Sequence, residues 1–590
     1  MWSRDIYCLE PLQDEYCWEL FANHAFSGQC VDSELESIGR TIVSKCGGLP
    51  LAIKTLGSLL GTKPTPQYWG EILKSDIWSL SEDESKIIPS LRLSYHYLPS
   101  NLKRCFTFCS IFPKDYLIEK DVLIQLWMAE GLLHSAQTSK NFEEVGNKIF
   151  NDLQSRSFFE PSKKNGNYFM MHDLLNDLAK SVMGEFCVQL EVGRVQEISA
   201  KARYFSFRRR ATENLETFKN FKCHQLRSFI LLDGYVFFDE NDRLSRLSHL
   251  NYIRELSLAG CTNFQELVDD IGNLKHLHYL DLSETSIEKL PNSMCLLINL
   301  QTLRLRDCHC LVEFPSNFHK LINLRHLDLD GCDSIKKMPK HMGKLNHLRT
   351  MNHFVVAKKG GACLKELGAL NHLMGSLTIS HMEYINNPMD LRDANLKENL
   401  DKLCLNYKWY DYNGEAGPHR EDILEGLEPN NNLKEIIVEY YGGTKLPTWL
   451  GGSHFLPNLV SLSLARCANC VNLPSLGQLP TLEKLEITKL HGLKVIGEEF
   501  HGNDSSNAPF RRLSYLIFYD MEEWEEWSIC REDESFPCLQ ELHIYNCPKL
   551  RKSLPPHLPR LKKLSIIGCR NMEATLPMSS CTERIWLRSC

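Results

Sequence analysis

The chain has 590 residues, of which 43% are hydrophobic and 24% charged, a balance typical of soluble globular protein. This length exceeds what one hydrophobic core supports, so several domains are expected. The net charge of -7 argues against a general nucleic-acid binder. The sequence contains no apolar run of about 18 or more residues, so no membrane helix is expected. The first residues, from Met1, do not have the pattern of a signal peptide.

Residues 1–80 are predicted to be helical, because their apolar residues recur at helical spacing. A second helix is expected to start near Asp32 or Ser33, since either side chain can cap it. Glycines end that helix, and Pro50 suits the first turn of a third. A fourth helix is predicted over 68–80.

Residues 81–195 predict a second small domain. Apolar helices are indicated over three stretches: 101–109, 121–133 and 142–153. Two strands flank the hairpin turn signal Asn165-Gly166, and Asp173 is expected to cap a helix that ends at Met183. Several helices followed by a hairpin resemble a winged-helix fold.

Residues 196–590 carry an internal repeat. Residues 324–332 read L-x-x-L-x-L-x-x-C, which is the leucine-rich repeat pattern. The second apolar residue of this pattern recurs at Leu256, Leu280, Leu303, Leu327, Met351, Leu377, Leu403, Ile436, Leu462, Leu485, Leu516, Leu542, Leu564 and Ile585. In L-x-L the two leucines lie on one face of a strand, and stacking of repeats buries them in a continuous core.

The expected fold is therefore α+β and multidomain. A helical domain and a winged-helix domain precede a leucine-rich-repeat solenoid with a concave parallel β-sheet. Residues between the leucines should point outward, and their charge varies from repeat to repeat, which suits a sensing surface. The predicted partner-binding residues on this surface are Arg304, Arg306, His326 and Asp328, and the predicted partner is a protein.

Cysteines recur at one repeat position: Cys261, Cys308, Cys332, Cys467, Cys547, Cys569 and Cys590. A buried thiol there is a small packing residue, so these cysteines are predicted to be reduced and buried, in the cytosol. Cys105 and Cys109 are four residues apart and could ligate a metal, but no second pair at zinc-site spacing stands beside them, so core packing is expected and no metal site. No Ser/His/Asp arrangement or paired carboxylates stand out, so hydrolase chemistry is not expected either.

Four short motifs carry a family resemblance. They are CGGLPLA at 46–52, CFTFCSIFP at 105–113, LWMAEG at 126–131 and MHDL at 171–174. In this order, and followed by these repeats, they resemble plant disease resistance proteins that combine a nucleotide-binding NB-ARC module with leucine-rich repeats. Trp127-Met128 resembles the class whose N-terminal domain is a coiled coil. On this resemblance, residues 1–80 are the C-terminal, helical part of the NB-ARC module.

The resemblance implies an innate-immune receptor. In that family the module holds ADP when off and ATP when on, and the repeats sense a pathogen effector or a modified host protein. The repeats also contact the module within the same chain and hold the switch off. A cytoplasmic or nuclear location is implied, with no membrane and no nucleic-acid partner.

The resemblance also marks candidate nucleotide contacts: Gly48, Leu49, Pro50, Leu51 and His172. In the family the proline packs on the adenine and the histidine reaches the β-phosphate. A second interpretation is purely structural, with Pro50 starting a helix and His172 packing beside another helix start.

Three parts of the family pattern are missing from this sequence. The phosphate loop G-x-x-x-x-G-K-[ST], the acidic strand that positions Mg²⁺ and the coiled coil are not found. The sequence therefore predicts an N-terminally truncated receptor or a partial gene model, with no enzyme activity. Binding of ADP or ATP is expected to be weak or lost, because the loop that captures the phosphates is absent.

Two other functions remain as alternatives. The first is a winged-helix nucleic-acid-binding protein, which would need Lys and Arg on its recognition helix. The candidate helix 122–133 has Glu130 and neither of those residues. The second is a pure leucine-rich-repeat adaptor, which would need a different leader sequence.

Overall fold

The computed structural model describes residues 10–26, 28, 32–79, 88–133, 141–163, 166–190, 199–208, 225–232, 250–396, 399–407, 419–427, 429–502, 508–528, 536–551, 554–572 and 584–588. The chain divides into two compact units. The first comprises residues 1–262 and 274–281, and the second comprises 263–273 and 282–590. Among the helices described, none is long and apolar enough to cross a membrane.

The first unit begins with four helices: α1 (Asp14–Phe26), α2 (Ser33–Ser44), α3 (Pro50–Gly61) and α4 (Pro66–Leu73). The carboxylate of Asp32 accepts the backbone N–H of Glu34 at 3.0 Å, which confirms the predicted cap of α2. The fourth helix ends earlier than predicted and is followed by a short 3-10 turn, Asp76–Ser79. Phe21 and Trp69 pack edge to face inside this helical core.

A winged-helix arrangement follows. Its helices are α5 (Pro89–His96), α6 (Ser100–Phe108), α7 (Lys120–Ala129), α8 (Phe142–Ser155) and α9 (Asp173–Met183). Its strands are β1 (Ile118–Glu119), β2 (Glu160–Pro161) and β3 (Tyr168–Met170), which form an antiparallel sheet in the order β1-β3-β2. Phe158 and Phe159, which precede β2, are core residues with buried side chains. Asn165 of the predicted turn lies outside the described residues.

Parallel strands begin within the first unit. They are β4 (Cys187–Leu190), β5 (Tyr204–Arg208), β6 (Ser228–Leu232), β7 (Glu255–Ser257) and β8 (Tyr279–Asp281), and each pairs in parallel with the next. The first of them precedes residue 196, where the repeats were predicted to start. Ile230, Leu232 and Tyr279 belong to the same apolar cluster as Trp127 of α7. The winged-helix domain and these strands therefore share one core.

The second unit continues the repeats with two short helices, α10 (Pro388–Ala394) and α11 (His419–Glu425). Its strands are β9 (Thr302–Arg304), β10 (His326–Asp328), β11 (Thr350–Met351), β12 (His353–Val355), β13 (Gly375–Ser380), β14 (Leu400–Asn406), β15 (Glu435–Glu439), β16 (Ser461–Ala465), β17 (Lys484–Thr488), β18 (Val495–Ile496), β19 (Tyr515–Tyr519), β20 (Glu526–Trp527), β21 (Glu541–Tyr545), β22 (Lys563–Ile567) and β23 (Arg584–Arg588).

The predicted leucine ladder is confirmed by the strand register. Strands β12 to β17, β19 and β21 to β23 form one parallel sheet, in which Leu377 stands beside Leu403 and Leu516 beside Leu542. These side chains are buried, as stacking of repeats requires. Strands β18 and β20 form a separate parallel pair.

Asn352 lies where the strand array changes register. Strand β11 pairs with β10, whereas β12, one residue after Asn352, pairs with β13. The amide of Asn352 replaces strand hydrogen bonds at the break. Its oxygen accepts the N–H of Leu329 at 2.7 Å, and its Nδ2 donates to Asp328 at 2.6 Å. Met351 therefore ends one set of strands instead of continuing the ladder to Leu377.

The described cysteines of the repeat position are buried free thiols, as predicted, while Cys590 lies outside the described residues. The sulfurs of two of them donate to main-chain carbonyls of the preceding repeat. Cys308 donates to the carbonyl of Leu282 at 3.0 Å, and Cys332 donates to that of Leu305 at 2.8 Å. In several repeats the residue before this position has a positive φ, such as Asp307 at 55°.

Candidate functional site

The Gly-Leu-Pro-Leu motif forms the start of α3. Pro50 is the first helical residue, and Leu49 takes the cap position without a side-chain hydrogen bond. Gly48 has a φ of +72°, and a β-carbon there would lie 2.7 Å from the Cβ of Pro11 and 2.8 Å from the carbonyl of Leu12. Only glycine tolerates both conditions. The structural interpretation of Pro50 thus accounts for its position, and its exposed ring also remains accessible to a ligand.

Leu51 connects this motif to the winged-helix domain. Its side chain is buried in the cluster that contains Trp127 and Leu175 of α9. One helical turn later, Lys54 Nζ lies 3.6 Å from a carboxylate oxygen of Glu160 in β2. Helix α3 is therefore fixed against the domain that carries His172.

His172, not Asp173, caps α9. The backbone at His172 is extended, and its Nδ1 accepts the N–H of Leu174 at 3.2 Å. Asp173 is the first residue of the helix, so its predicted capping role is wrong. A ring nitrogen that accepts a hydrogen bond carries no proton, which leaves the exposed Nε2–H as the donor for a ligand.

Glu130 is the centre of a buried polar cluster that the sequence reasoning missed. Its carboxylate, 2% exposed, accepts hydrogen bonds from Tyr204 at 2.8 Å and Arg227 at 2.9 Å. Arg254 donates to the backbone oxygen of Glu130 at 2.6 Å. Because Glu130 follows α7 while its partners lie on or beside strands β5 to β7, this residue ties the winged-helix domain to the repeats.

A second buried carboxylate, Glu255 of β7, lies in the same cluster. Ser228 donates a hydrogen bond to one of its oxygens, whereas the other has no partner among the described residues. Burial raises the pKa of Glu255 well above its usual range, and repulsion by Glu130 adds to the shift. Burial and the neighbouring carboxylate therefore both favour the protonated form of Glu255.

The predicted partner-binding residues of β9 and β10 are largely bound to one another. Arg304 and Asp328 stand in register on neighbouring strands, 3.4 Å apart, and Arg306 lies 3.1 Å from Asp330. The expected exposure of His326 is not found, because the residue is 5% exposed and its Nδ1 lies 2.9 Å from the hydroxyl of Thr350 on the adjacent strand.

A set of aromatic side chains that are at least partly exposed occurs on later strands, and we name it the aromatic face: Tyr515, Tyr519, His543, Tyr545 and Trp586. Leu516 and Phe518 alternate with the two tyrosines of β19 and are buried. The rings of Tyr515 and His543 lie 5.4 Å apart, and those of Tyr519 and Tyr545 lie 6.3 Å apart. Trp586 is 65% exposed. Such tyrosine- and tryptophan-rich surfaces are enriched at protein interfaces.

The helix proposed for nucleic-acid recognition carries one basic residue. Helix α7 begins at Lys120, one residue before the helix predicted over 121–133, and ends at Ala129. The ammonium group of Lys120 contacts Asn151 at 3.2 Å and the ring of Phe150. This lysine is therefore directed at α8. Within the described ranges, no cluster of three His, Cys, Asp or Glu side chains that could hold a metal ion occurs.

Comparison with known families gives two matches. Residues 111–179 match the winged-helix domain of disease resistance proteins, and residues 364–490 match the R13L1/DRL21 leucine-rich repeats. A putative disease resistance protein of Arabidopsis thaliana is 40% identical over 96% of this chain, and the RPP13-like protein 1 of the same plant is 39% identical over 96%. The disease resistance protein RGA2 of Solanum bulbocastanum is 37% identical over 96%.

The chain is a homologue of plant disease resistance proteins. It spans 41%, 55% and 56% of the lengths of these three relatives, about half of each. The winged-helix match contains Glu130 and His172, so both residues lie in a domain characteristic of disease resistance proteins.

The sequence did contain a signal for the Glu130 cluster. Glu130 is the one acidic residue of the LWMAEG motif, between apolar residues of a predicted core helix. An acidic residue in such a place needs a buried partner. In this chain the partners of Glu130 lie 74 to 124 residues later, so spacing alone could not identify them.

Proposed function

We propose that this chain is the regulatory and sensing part of a plant innate-immune receptor. Its repeats recognise a pathogen effector or a modified host protein, and in the unbound state they hold an ADP/ATP switch off. The observation that carries this proposal is the buried Glu130 cluster, because it couples the winged-helix domain directly to strands of the repeats. Displacement of these strands by a partner would break contacts of the winged-helix domain.

Recognition is assigned to the outward side chains of the parallel strands. The aromatic face supplies rigid rings with polar tips, and Arg304, Arg306 and Asp328 add charges that can exchange their present partners for those of an incoming protein. The partner class is therefore a folded protein that presents both apolar and polar groups. The expected location is the cytoplasm or nucleus, and the chain acts by binding and not as an enzyme.

For nucleotide binding, the proposed contacts are limited to two residues. Pro50 and the Nε2–H of His172 are exposed and can contact an adenine ring and a phosphate. The sequence has no glycine-rich phosphate loop, which normally supplies most phosphate contacts. We therefore expect ADP to bind this chain weakly or not at all. Isothermal titration calorimetry with ADP tests this, and micromolar binding would overturn it.

The sensing proposal is tested by affinity capture from infected plant tissue. A partner should be retained by the full chain and lost when Tyr519 and Tyr545 are both changed to alanine. The matched control changes two exposed residues away from the aromatic face, Lys365 and Lys494, to alanine and should retain the partner. Circular dichroism confirms that each variant is folded. Unchanged capture by the tyrosine variant, combined with loss on deletion of residues 1–190, would place recognition in the N-terminal part.

A further inference from the structure

A cavity of about 800 Å³ lies between the return segments of successive repeats in the second unit. Its basic lining residues are Lys289, His319, Lys337, Lys340 and His341, and Glu313 is the acidic residue of the described lining. None of these side chains belongs to the aromatic face or to the nucleotide motifs. We name these six residues and the space they enclose the basic cavity.

The lining carries three lysines and one glutamate, so its net charge is positive. Acidic and basic residues alternate along the parallel bridges of consecutive repeats, which join Glu266, Lys289, Glu313 and Lys337. Glu313 lies 3.4 Å from Lys337 and offsets that one charge. Lys289 and Lys340 are both exposed, so the basic cavity keeps a net positive charge in a chain whose overall charge is -7.

The two histidines add an unsatisfied polar atom. The rings of His319 and His341 meet edge to face, 5.4 Å between centroids. Nδ1 of His319 is shielded from solvent and has no hydrogen-bond partner among the described residues. Burial lowers the pKa of His319, and the nearby Lys344, His341 and Lys320 lower it further, so the ring sits in a positive field. A bound anion would reduce that field.

We propose that the basic cavity binds a soluble polyphosphate. Lysine ammonium groups and histidine N–H groups are suitable donors for phosphate oxygens. Gly360 and Gly361, with φ values of +66° and +96°, line one wall and let main-chain groups approach a ligand without side chains between them. The volume lies within the range of small-molecule sites and exceeds what one phosphate needs, so a ligand with several phosphates fits best.

Titration calorimetry of the full chain with inositol hexakisphosphate tests the proposal at physiological ionic strength. We expect one site with micromolar affinity. Reversal of two charges, Lys289→Glu with Lys340→Glu, should weaken binding about ten-fold or more. The matched control, Lys494→Glu with Lys562→Glu, makes the same charge change on exposed residues away from the basic cavity and should bind as the wild type does. Inorganic phosphate alone should bind far more weakly, because it reaches only part of the lining.

Three results would overturn the proposal. The first is no heat of binding with inositol hexakisphosphate. The second is an equal loss of affinity in both double variants, since this would indicate general attraction and not a site. The third is binding of vesicles that contain phosphatidylinositol 4-phosphate without binding of the soluble ligand, which would assign the basic cavity to a membrane surface. Circular dichroism of each variant excludes unfolding as the cause.

Discussion

Two groups of arginine–carboxylate contacts in this chain have the same chemistry and different surroundings. Around Glu130 the carboxylate is buried, whereas Arg227 and Arg254 remain about one-third exposed. Between Arg306 and Asp330 both side chains face solvent, at 40% and 61% exposed. Burial removes water as an alternative partner, so the first group depends on its protein contacts and the second does not. The buried group therefore serves the architecture, and the open group is available for recognition.

The largest effect should come from Glu130→Ala. Removal of the carboxylate leaves Tyr204 and Arg227 without their shared acceptor, which should lower the free energy of unfolding by about 3–5 kcal/mol. The loss should lie near the lower value, because Arg227 and Arg254 remain partly exposed to solvent. Hydrogen exchange of α7 and strands β5 to β7 under mild denaturant measures the change. Glu160→Ala, which breaks the exposed contact with Lys54, is the matched control and should change stability by less than about 1 kcal/mol. If Glu130→Ala and Glu160→Ala changed stability equally, burial would not determine how much an ion pair contributes to stability.

Near the exposed pair of Arg306 and Asp330, a change in main-chain conformation should affect stability more than removal of the charges. Gly331, beside Asp330, has a φ of +72°, and a β-carbon would collide with the carboxylate of Asp307. Gly331→Ala is expected to cost about 1–3 kcal/mol. Gly70→Ala in α4 meets no atom within 4 Å and should stabilise by about 0.5–1 kcal/mol. Denaturant unfolding of both variants checks these opposite signs, and a neutral Gly331→Ala would contradict the steric argument.

Breaking the exposed pair itself should have little effect. Arg306→Ala and Asp330→Ala should each change stability by about 0–1 kcal/mol, with a coupling energy that decreases as salt is added. A double-mutant cycle at low and high ionic strength measures this coupling. A salt-independent coupling above about 2 kcal/mol would mean that the pair behaves like the buried one.

Of these variants, Glu255→Gln should have the smallest effect on stability when unfolding is measured at low pH. Because the pKa of Glu255 is raised in the folded state, its contribution to stability is retained below the unfolded pKa of about 4.3 and lost as pH rises towards the folded value. The glutamine variant resembles the neutral acid and avoids that loss. Its stability relative to the wild type should therefore increase from pH 5 to pH 8. Thermal unfolding at both pH values tests this, and a relative decrease would show that Glu255 is ionised in the fold.

Local sequence patterns correctly predicted those features whose physical cause is local. The cap at Asp32, the helix start at Pro50 and the leucine ladder follow from short-range hydrogen bonding and from the two-residue period of strands. Cysteines at one repeat position were correctly predicted to be buried, because position within the repeat determines depth in the solenoid. The identities of the motif residues were likewise sufficient to indicate the family.

The cap of α9 and the exposure of His326 could not be predicted from the same patterns. Asp173 is the better capping residue by type, yet the chain is still extended at His172 and the ring of that histidine takes the role. His326 occupies an outward position by alternation, but Thr350 on the adjacent strand covers it. In both cases the local preference is weak, about 1 kcal/mol for a cap, so packing of neighbouring segments decides the outcome.

By itself, the sequence determined the order of the domains, the repeat register and the buried leucines, because apolar periodicity requires a common core. Only the tertiary structure determined which charges are buried and which are available. Glu130 meets Tyr204, Arg227 and Arg254 across 74 to 124 residues of chain, and the basic cavity collects lysines from successive repeats. Electrostatic interactions depend on distance in space and on exclusion of water, and neither quantity can be read from separation along the chain.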